Sequence, residues 1–403
     1  MPLTPEKSYT KLLTVTIGGA DVTKYVDSVT SHLGFDVQVP SCQIKFISDP
    51  GVSAWDEVTF NAGRSPSAPA GSQRRFTGWL APNKTGTGWR NGLTLTCSGH
   101  LRKAQIVEAP NDEDAETMGL PAAPHILAEG TDLSFDPVPP YPYWSDADMV
   151  LWVLAACGLD EWIGGIDGTG RLLGTEVPEQ FIWRRGQSGL DFINQLDATC
   201  LGFRTYEDAN GYIWRKQILP NVPFVQPGVI DLYEALHILP GLEVRRLTDH
   251  LANKVIVQGF DDGSGALRHY MNFAADELPG GVPTRTATLS SPMIESELES
   301  EGIGLSCEVV ASWQADEVSQ VKLEATVPTW RDDLFVPGAT GYLNVVRPFA
   351  VQQSLWIRSI ETSVARKQLF KQTVGLYGAL YIAGRAPRLG TMSLPSSLNG
   401  RLA

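Results

Sequence analysis

Three stretches in the first quarter of the chain alternate apolar and polar residues one by one. In LLTVTIGG, Leu13, Val15 and Ile17 alternate with Thr14 and Thr16. In CQIKFIS, Cys42, Ile44 and Phe46 alternate with Gln43 and Lys45. In GLTLTCSG, Leu93, Leu95 and Cys97 alternate with Thr94 and Thr96. A period of two marks a strand with one buried and one wet face, because successive side chains leave a strand on opposite sides. Turn signals separate the three stretches: Gly18-Gly19, Asp49-Pro50-Gly51 and Asn91-Gly92. The pattern predicts an antiparallel barrel or sandwich over residues 12–103, preceded by an N-terminal extension, 1–11.

The same pattern returns late. In VKLEATVP, Val321, Leu323, Ala325 and Val327 alternate with Lys322, Glu324 and Thr326. FVPGATGYLNVV reads as a turn and a strand. SLWIRSIETSV and LFKQTVGLYG read as a closing pair of long strands. With NKVIVQGF as a further strand and a helix near 304–318, a second β-module is predicted over 242–382. The remaining arm, 383–403, is poor in apolar residues and reads as extended.

Between the modules the period changes. In SDADMVLWVLAACGL, Val150, Leu151, Leu154 and Cys157 are the apolar set of a helix. Ser145 or Asp146 caps its start and Gly158 stops it. A second helix opens at Ser188, with Asp191 three residues on and Leu190, Ile193 and Leu196 as its apolar stripe. FRTYED and GYIWRK then make a hairpin whose turn is Asn210-Gly211. These elements predict an α+β middle domain over 146–241. The stretch 104–145 is acidic and Pro-rich and reads as a surface connection. Its YPYW run, like Trp162 further on, offers aromatic rings for a sugar, or for pinning the loop to a neighbouring surface.

With 403 residues the chain is long enough for two to four domains. A formal net charge of −13 argues against phosphate-backbone binding as the main task. Five scattered cysteines without a C-x-x-C pair argue against a disulfide framework or a zinc site and for buried thiols. The start, MPLTPEKSYTK, has no apolar core and is not read as a signal peptide. No run of about 18 apolar residues suggests a membrane span.

The search for reaction chemistry is mostly negative. GQSGL places Leu190 where a nucleophile elbow needs its last Gly. GGIDGTGRLLG, 164–174, lacks the Lys-Ser/Thr of a phosphate loop and reads as a hairpin loop. The six histidines show no paired metal spacing. Asp261/Asp262 and Asp332/Asp333 are adjacent pairs, which a strand would aim at opposite faces. The first reads as a turn, the second as a wet loop. No catalytic residue, metal ligand or cofactor is expected.

Four stretches, taken in order, resemble the tail hub or baseplate hub proteins of tailed phages and related injection machines. RRFTGWLAPNKTGTGWRNGLTLTCSGHLRKA looks like the end of that family's first barrel. GLDFINQLDATCLGFRTYEDANGYIWRK looks like its middle unit. LTDHLANKVIVQGF looks like its return strand, and LFVPGATGYLNVV with LWIRSIETSV like its last barrel. The resemblance spans roughly residues 10–382. It implies a mainly β fold with an α+β insertion: two tail-tube-like β-barrel domains plus a middle helix-hairpin domain. It further implies a non-enzymatic homotrimer in the virion, assembled in the host cytoplasm, whose six barrels adapt a six-fold tail tube to a three-fold tip. The implied partners are a distal tail protein or tube ring, a central fibre or spike protein and the tape measure protein, with DNA passing through unbound. An acidic lumen would suit that passage by repelling phosphates. The interface residues expected are Tyr141, Tyr143 and Trp144 in the aromatic loop and Arg385 and Arg388 in the arm. Two rival readings remain open: a receptor- or carbohydrate-binding tail-tip component using Tyr143, Trp144 and Trp162, and a hydrolase whose active site leaves no sequence signature.

Overall fold

The computed structural model describes residues 10–65, 72–86, 93–110, 125–126, 133–134, 144–170, 172–173, 182–200, 202–219, 230–234, 236–252, 254–259, 268–272, 285–291, 294, 306–346, 350–366 and 370–380. The chain opens with β1 (Thr10–Ile17), β2 (Ala20–Asp21), β3 (Val26–Gly34), β4 (Ser41–Phe46), β5 (Glu57–Ser65), β6 (Gln73–Gly86) and β7 (Leu93–Ser98). The apolar half of each alternation faces one core. Val15, Ile17, Ile44, Phe46, Leu95 and Cys97 are all buried together. Thr10 and Lys11, assigned above to an extension, already belong to β1.

A short helix, α1 (Leu101–Ile106), leads into the middle of the chain. There β8 (His125–Ile126), β9 (Leu133–Ser134) and, later, β13 (Ile182–Trp183) form one small sheet. β10 (Trp144–Ser145) pairs with β12 (Leu172–Leu173). The helix expected after Ser145 is α2 (Asp146–Ala156), closed by a full capping box between Ser145 and Asp148. The helix expected after Ser188 is α3 (Gly189–Thr199), with the Ser188 hydroxyl accepting from the Asp191 amide. The hairpin is β14 (Phe203–Glu207) and β15 (Ile213–Gln217), and β11 (Ile163–Ile166) runs parallel to β15. Gly164 and Gly165, read above as part of a loop, lie in β11. A Cβ on Gly164 would sit 2.6 Å from the Trp214 ring, so the glycines are there to let that indole approach.

Next come β16 (Ile230–Tyr233) and β17 (Glu243–Leu247). An excursion follows: β18 (Lys254–Gln258), β19 (Arg268–Asn272) and β20 (Thr286–Ser290) make a separate sheet, order β19-β18-β20, backed by α4 (Cys307–Val318). The chain returns with β21 (Lys322–Thr329), β22 (Thr340–Val345), β23 (Val351–Ala365) and β24 (Lys371–Ala379). The ranges 146–241 and 242–382 therefore divide differently in space. β16, placed above in the middle domain, pairs with β22. β18, placed above in the second module, contributes Val255 and Val257 to the core around α2 and α3. Alternation marks a strand but does not say which sheet receives it.

The two β-modules share one strand order. Numbered in chain order, the six main strands of the first run first-fourth-fifth-sixth-third-second, β1-β5-β6-β7-β4-β3. Those of the second run identically, β16-β22-β23-β24-β21-β17. They differ at one ladder: β1 is antiparallel to β5, whereas β16 is parallel to β22. Each module has its own apolar core. Among the described residues no ladder closes either path on itself. The modules are instead fused, β3 against β23, into one 13-stranded sheet.

Candidate functional site

The feature that organises the molecule is the seam between the two modules. β23 is long enough to serve both. Its first part, Val351–Trp356, pairs with β22. A register shift follows between Ile357 and Ser359. From Ser359 to Ala365 the side that β22 has left is taken by β3, from Gly34 back to Ser28. Phe35 N–H donates to the Arg358 carbonyl at 3.0 Å, and Arg366 N–H to the Asp27 carbonyl at 2.8 Å, so the ladder is closed at both ends. Gly34 is needed at the corner: a Cβ there would lie 2.6 Å from the Arg358 oxygen. Val364 of β23 and Phe370 then complete the core of the first module.

Charged side chains lock the seam. Arg75 of β6 is buried and reaches the second module. Its guanidinium donates to the carbonyls of Asp333 (2.9 Å) and Asp332 (2.5 Å) and to the Gln372 side chain (3.3 Å). Burial pulls its pKa down to about 10, opposed by Asp332 and Asp333, so it stays charged near neutral pH. Arg64 covers the Trp330 ring at 4.4 Å, and its amide donates to Asp332 at 3.1 Å. On the far side Arg358 binds Asp36 of the first module and Glu324 of the second. Asp332-Asp333 is thus not the wet loop expected from sequence. Its two carbonyls and the Asp332 carboxylate hold the first module, and the Asp333 carboxylate pairs with the neighbouring Arg331.

The fifth strands of the modules repeat a local motif. Trp79 of β6 is opposite Glu57 of β5 on one side and Ser98 of β7 on the other. Trp356 of β23 is likewise opposite Thr340 of β22 and Tyr377 of β24. One residue on, Leu80 exchanges hydrogen bonds with the turn before β5: Trp55 N–H to Leu80 O and Leu80 N–H to Asp56 O, both 2.9 Å. Ile357 does the same with the turn before β22: Gly338 N–H to Ile357 O at 2.9 Å and Ile357 N–H to Ala339 O at 2.7 Å. Gly338 has φ +72°, and Trp55, in the matching place, has φ +67°. The tryptophan occupies a left-handed position because the turn is the same turn.

The middle domain docks through buried polar groups. Both oxygens of Glu207 accept main-chain hydrogen bonds, from His100 (2.9 Å) and Leu101 (3.0 Å) at the start of α1. Burial pushes the Glu207 carboxyl up to about 8, against the pull of those amides. Burial lowers His100 to about 4, although its Nδ1 donates to the Gly211 carbonyl at 3.0 Å. The ring is therefore neutral near pH 7, and its 3.4 Å approach to Glu207 is not an ion pair there. Neither group reaches solvent, so this perturbed pair ties the hairpin to the first module rather than meeting a substrate. Arg215 is also fully buried, between Asp197 (2.7 Å) and Asp146 (2.5 Å). Burial opposes its charge, but the two carboxylates more than offset that and hold it above the ordinary range. Thr169, from the Gly-rich run, donates its amide and hydroxyl to Asp146.

Of the interface residues expected from sequence, Tyr141, Tyr143, Arg385 and Arg388 lie outside the described residues, as does Asp261/Asp262. Trp144 is described through its main chain, which pairs with Leu173. Trp162 is not a free sugar platform: its ring stacks on His100, centroids 3.6 Å apart. An open depression of about 460 Å³, lined by Tyr233, Glu234, Leu236, Asn344 and Val346, lies at the end of β16 and β22. No group of acidic, His or Cys side chains among the described residues is arranged to hold a metal ion. Sequence reading missed Arg75, Arg358 and the paired tryptophans. The signal available was a Trp followed by an aliphatic residue in both GWL and LWI.

The fold has counterparts among solved structures. A tail protein from Neisseria meningitidis MC58 aligns over 91% of this chain and 96% of its own, at TM-score 0.57 and 12% identity. The fold is that of phage tail proteins. The 43 kDa tail protein of prophage MuSo2 from Shewanella oneidensis aligns over 90% and 97%, at TM-score 0.55 and 11% identity. No family model matches the sequence, and no curated protein does.

Proposed function

We propose that three copies of this chain form the hub at a phage tail tip or baseplate. The hub adapts a six-fold tail tube to a three-fold spike or central fibre, and it lines part of the channel through which DNA leaves. The observation that carries this reading is the repeated strand order. A chain with two like modules supplies six from three copies, which is how a trimer matches a six-fold ring. The tail-protein fold supports a place in the virion. The role is structural and non-enzymatic, with a distal tail protein or tube ring above, the spike or fibre below and the tape measure protein within. Assembly takes place in the host cytoplasm. The net charge of −13 suits a bore that DNA crosses without binding.

Light scattering on the purified chain tests the stoichiometry. The expected particle has three times the 43.9 kDa chain mass. A monomer or dimer at assembly concentrations would overturn the hub. Electron microscopy of tails should then place three copies at the tip.

A further inference from the structure

The internal seam leaves its own image unfilled, and this points to how one copy meets the next. In the seam, the second strand of one module (β3) adds to the fifth strand of the other (β23), beyond the point where the fourth strand (β22) departs. The same two edges exist in the opposite pairing, and among the described residues no strand is paired along them. β17 is the second strand of its module, and among the described residues it has a ladder only with β21. β6 is the fifth strand of its module. β5 leaves it at Trp79, the turn residues Trp55 and Asp56 cap that side at Leu80, and no described strand continues there to Gly86.

We propose that β17 of one copy adds antiparallel to the distal part of β6 of a second copy, reproducing between chains the β3–β23 seam within a chain. The proposal rests on the trimeric reading and supplies its interface. Each joint runs from the second strand of one module to the fifth strand of the next. Repeated head to tail, the joint makes a ring of six modules from three chains. Open strand edges associate through main-chain hydrogen bonds, so this contact does not depend on a particular side-chain set.

The register follows from the ladders. Leu80 and Ile357 are equivalent, being opposite Cys97 and Leu376 respectively. Cys97 is opposite Cys42, which is opposite Ser31, whereas Leu376 is opposite Ala325, which is opposite Val244. Val244 therefore stands for Ser31, and Leu247 for Gly34. In the seam Gly34 is opposite Ser359, two residues past Ile357. Allowing for the register shift after Leu80, Leu247 comes opposite the Pro82–Asn83 step and Arg246 opposite Asn83 or Lys84.

The test is a cysteine walk in the full chain. Arg246→Cys is combined in turn with Ala81→Cys, Pro82→Cys, Asn83→Cys, Lys84→Cys and Thr85→Cys, and each variant is oxidised gently and run without reductant. A covalent trimer is expected, strongest with Asn83→Cys or Lys84→Cys. Hydrogen exchange on the unmodified protein is the companion measurement. The β17 amides should exchange at least about tenfold more slowly in the trimer than after dilution to monomer. A trimer by light scattering that gives no cross-link in the walk and unprotected β17 amides would overturn this joint and leave the hub standing. A chain that never trimerises overturns both.

Discussion

Glu207 and His100 titrate in opposite senses, and their shifts fix a pH dependence. The folded state keeps a proton on Glu207 up to about pH 8, whereas the ordinary carboxyl loses it at 4.5. Its contribution to stability is complete below 4.5 and falls as pH rises to 8. His100 refuses a proton down to about pH 4 while the ordinary ring accepts one at 6.5. Its contribution is complete above 6.5 and falls as pH drops to 4. Between 4.5 and 6.5 the two slopes oppose each other; from 6.5 to 8 only Glu207 acts. Urea unfolding should show stability falling over that upper range, by at most about 1.4 kcal/mol per pH unit. Glu207→Gln should be less stable throughout but flat there, and a slope equal to that of the unmodified protein would refute the assignment. Arg75 makes a simpler case. Arg75→Met keeps the volume but removes the guanidinium donors from the Asp332 carbonyl and the Gln372 side chain and leaves the Asp333 carbonyl to Gln372 and Phe335 alone, and should cost about 3 kcal/mol in the same assay. A loss within experimental error would mean that the seam does not depend on it.

Among elements, the turn before each fourth strand shows how one motif tolerates two residues. Gly338 has no room to change: a Cβ would lie 2.4 Å from the Tyr206 hydroxyl oxygen, at a φ of +72°. Gly338→Ala should therefore destabilise by about 2 kcal/mol or more. At Trp55 a glycine would relieve the left-handed strain of about 1 kcal/mol but add chain entropy of similar size. Trp55→Gly should therefore leave the melting midpoint nearly unchanged. A loss at Trp55 as large as that at Gly338 would show that the Trp55 side chain, rather than the left-handed turn alone, stabilises its site. The period-two runs were legible because strand geometry imposes them residue by residue. Ser145 and Ser188 were legible because a cap is local. The sheet that receives a strand was not. NKVIVQGF and VKLEATVP both read as strands, yet β18 packs beside α4 while β21 joins the large sheet. The Arg75 clamp was hidden for the same reason, since it joins residues 257 positions apart. Only the fold brings them together.

For the whole molecule, the shared strand means that the modules cannot fold as separate beads. The core of the first module is closed by Val364 and Phe370, which the chain supplies only after the second module is nearly complete. β3 has one face of its ladder on β4 and the other on β23. A fragment ending at Ile106 therefore lacks both the edge cover for β3 and part of its own core, and it should show no cooperative thermal transition. The intact chain should melt both modules together, because β23 cannot leave one and remain in the other. Two core substitutions separate this from independent melting. Val364→Ala opens a cavity in the first core and Leu343→Ala one in the second, and each should cost about 2–4 kcal/mol. Both residues are fully buried. If the sheet is one cooperative unit, each substitution lowers the same single calorimetric transition, and hydrogen exchange in β5 and in β22 accelerates together in both variants. Two resolved transitions, of which each substitution moved only its own, would mean that the seam is a contact between finished domains rather than a strand that both require.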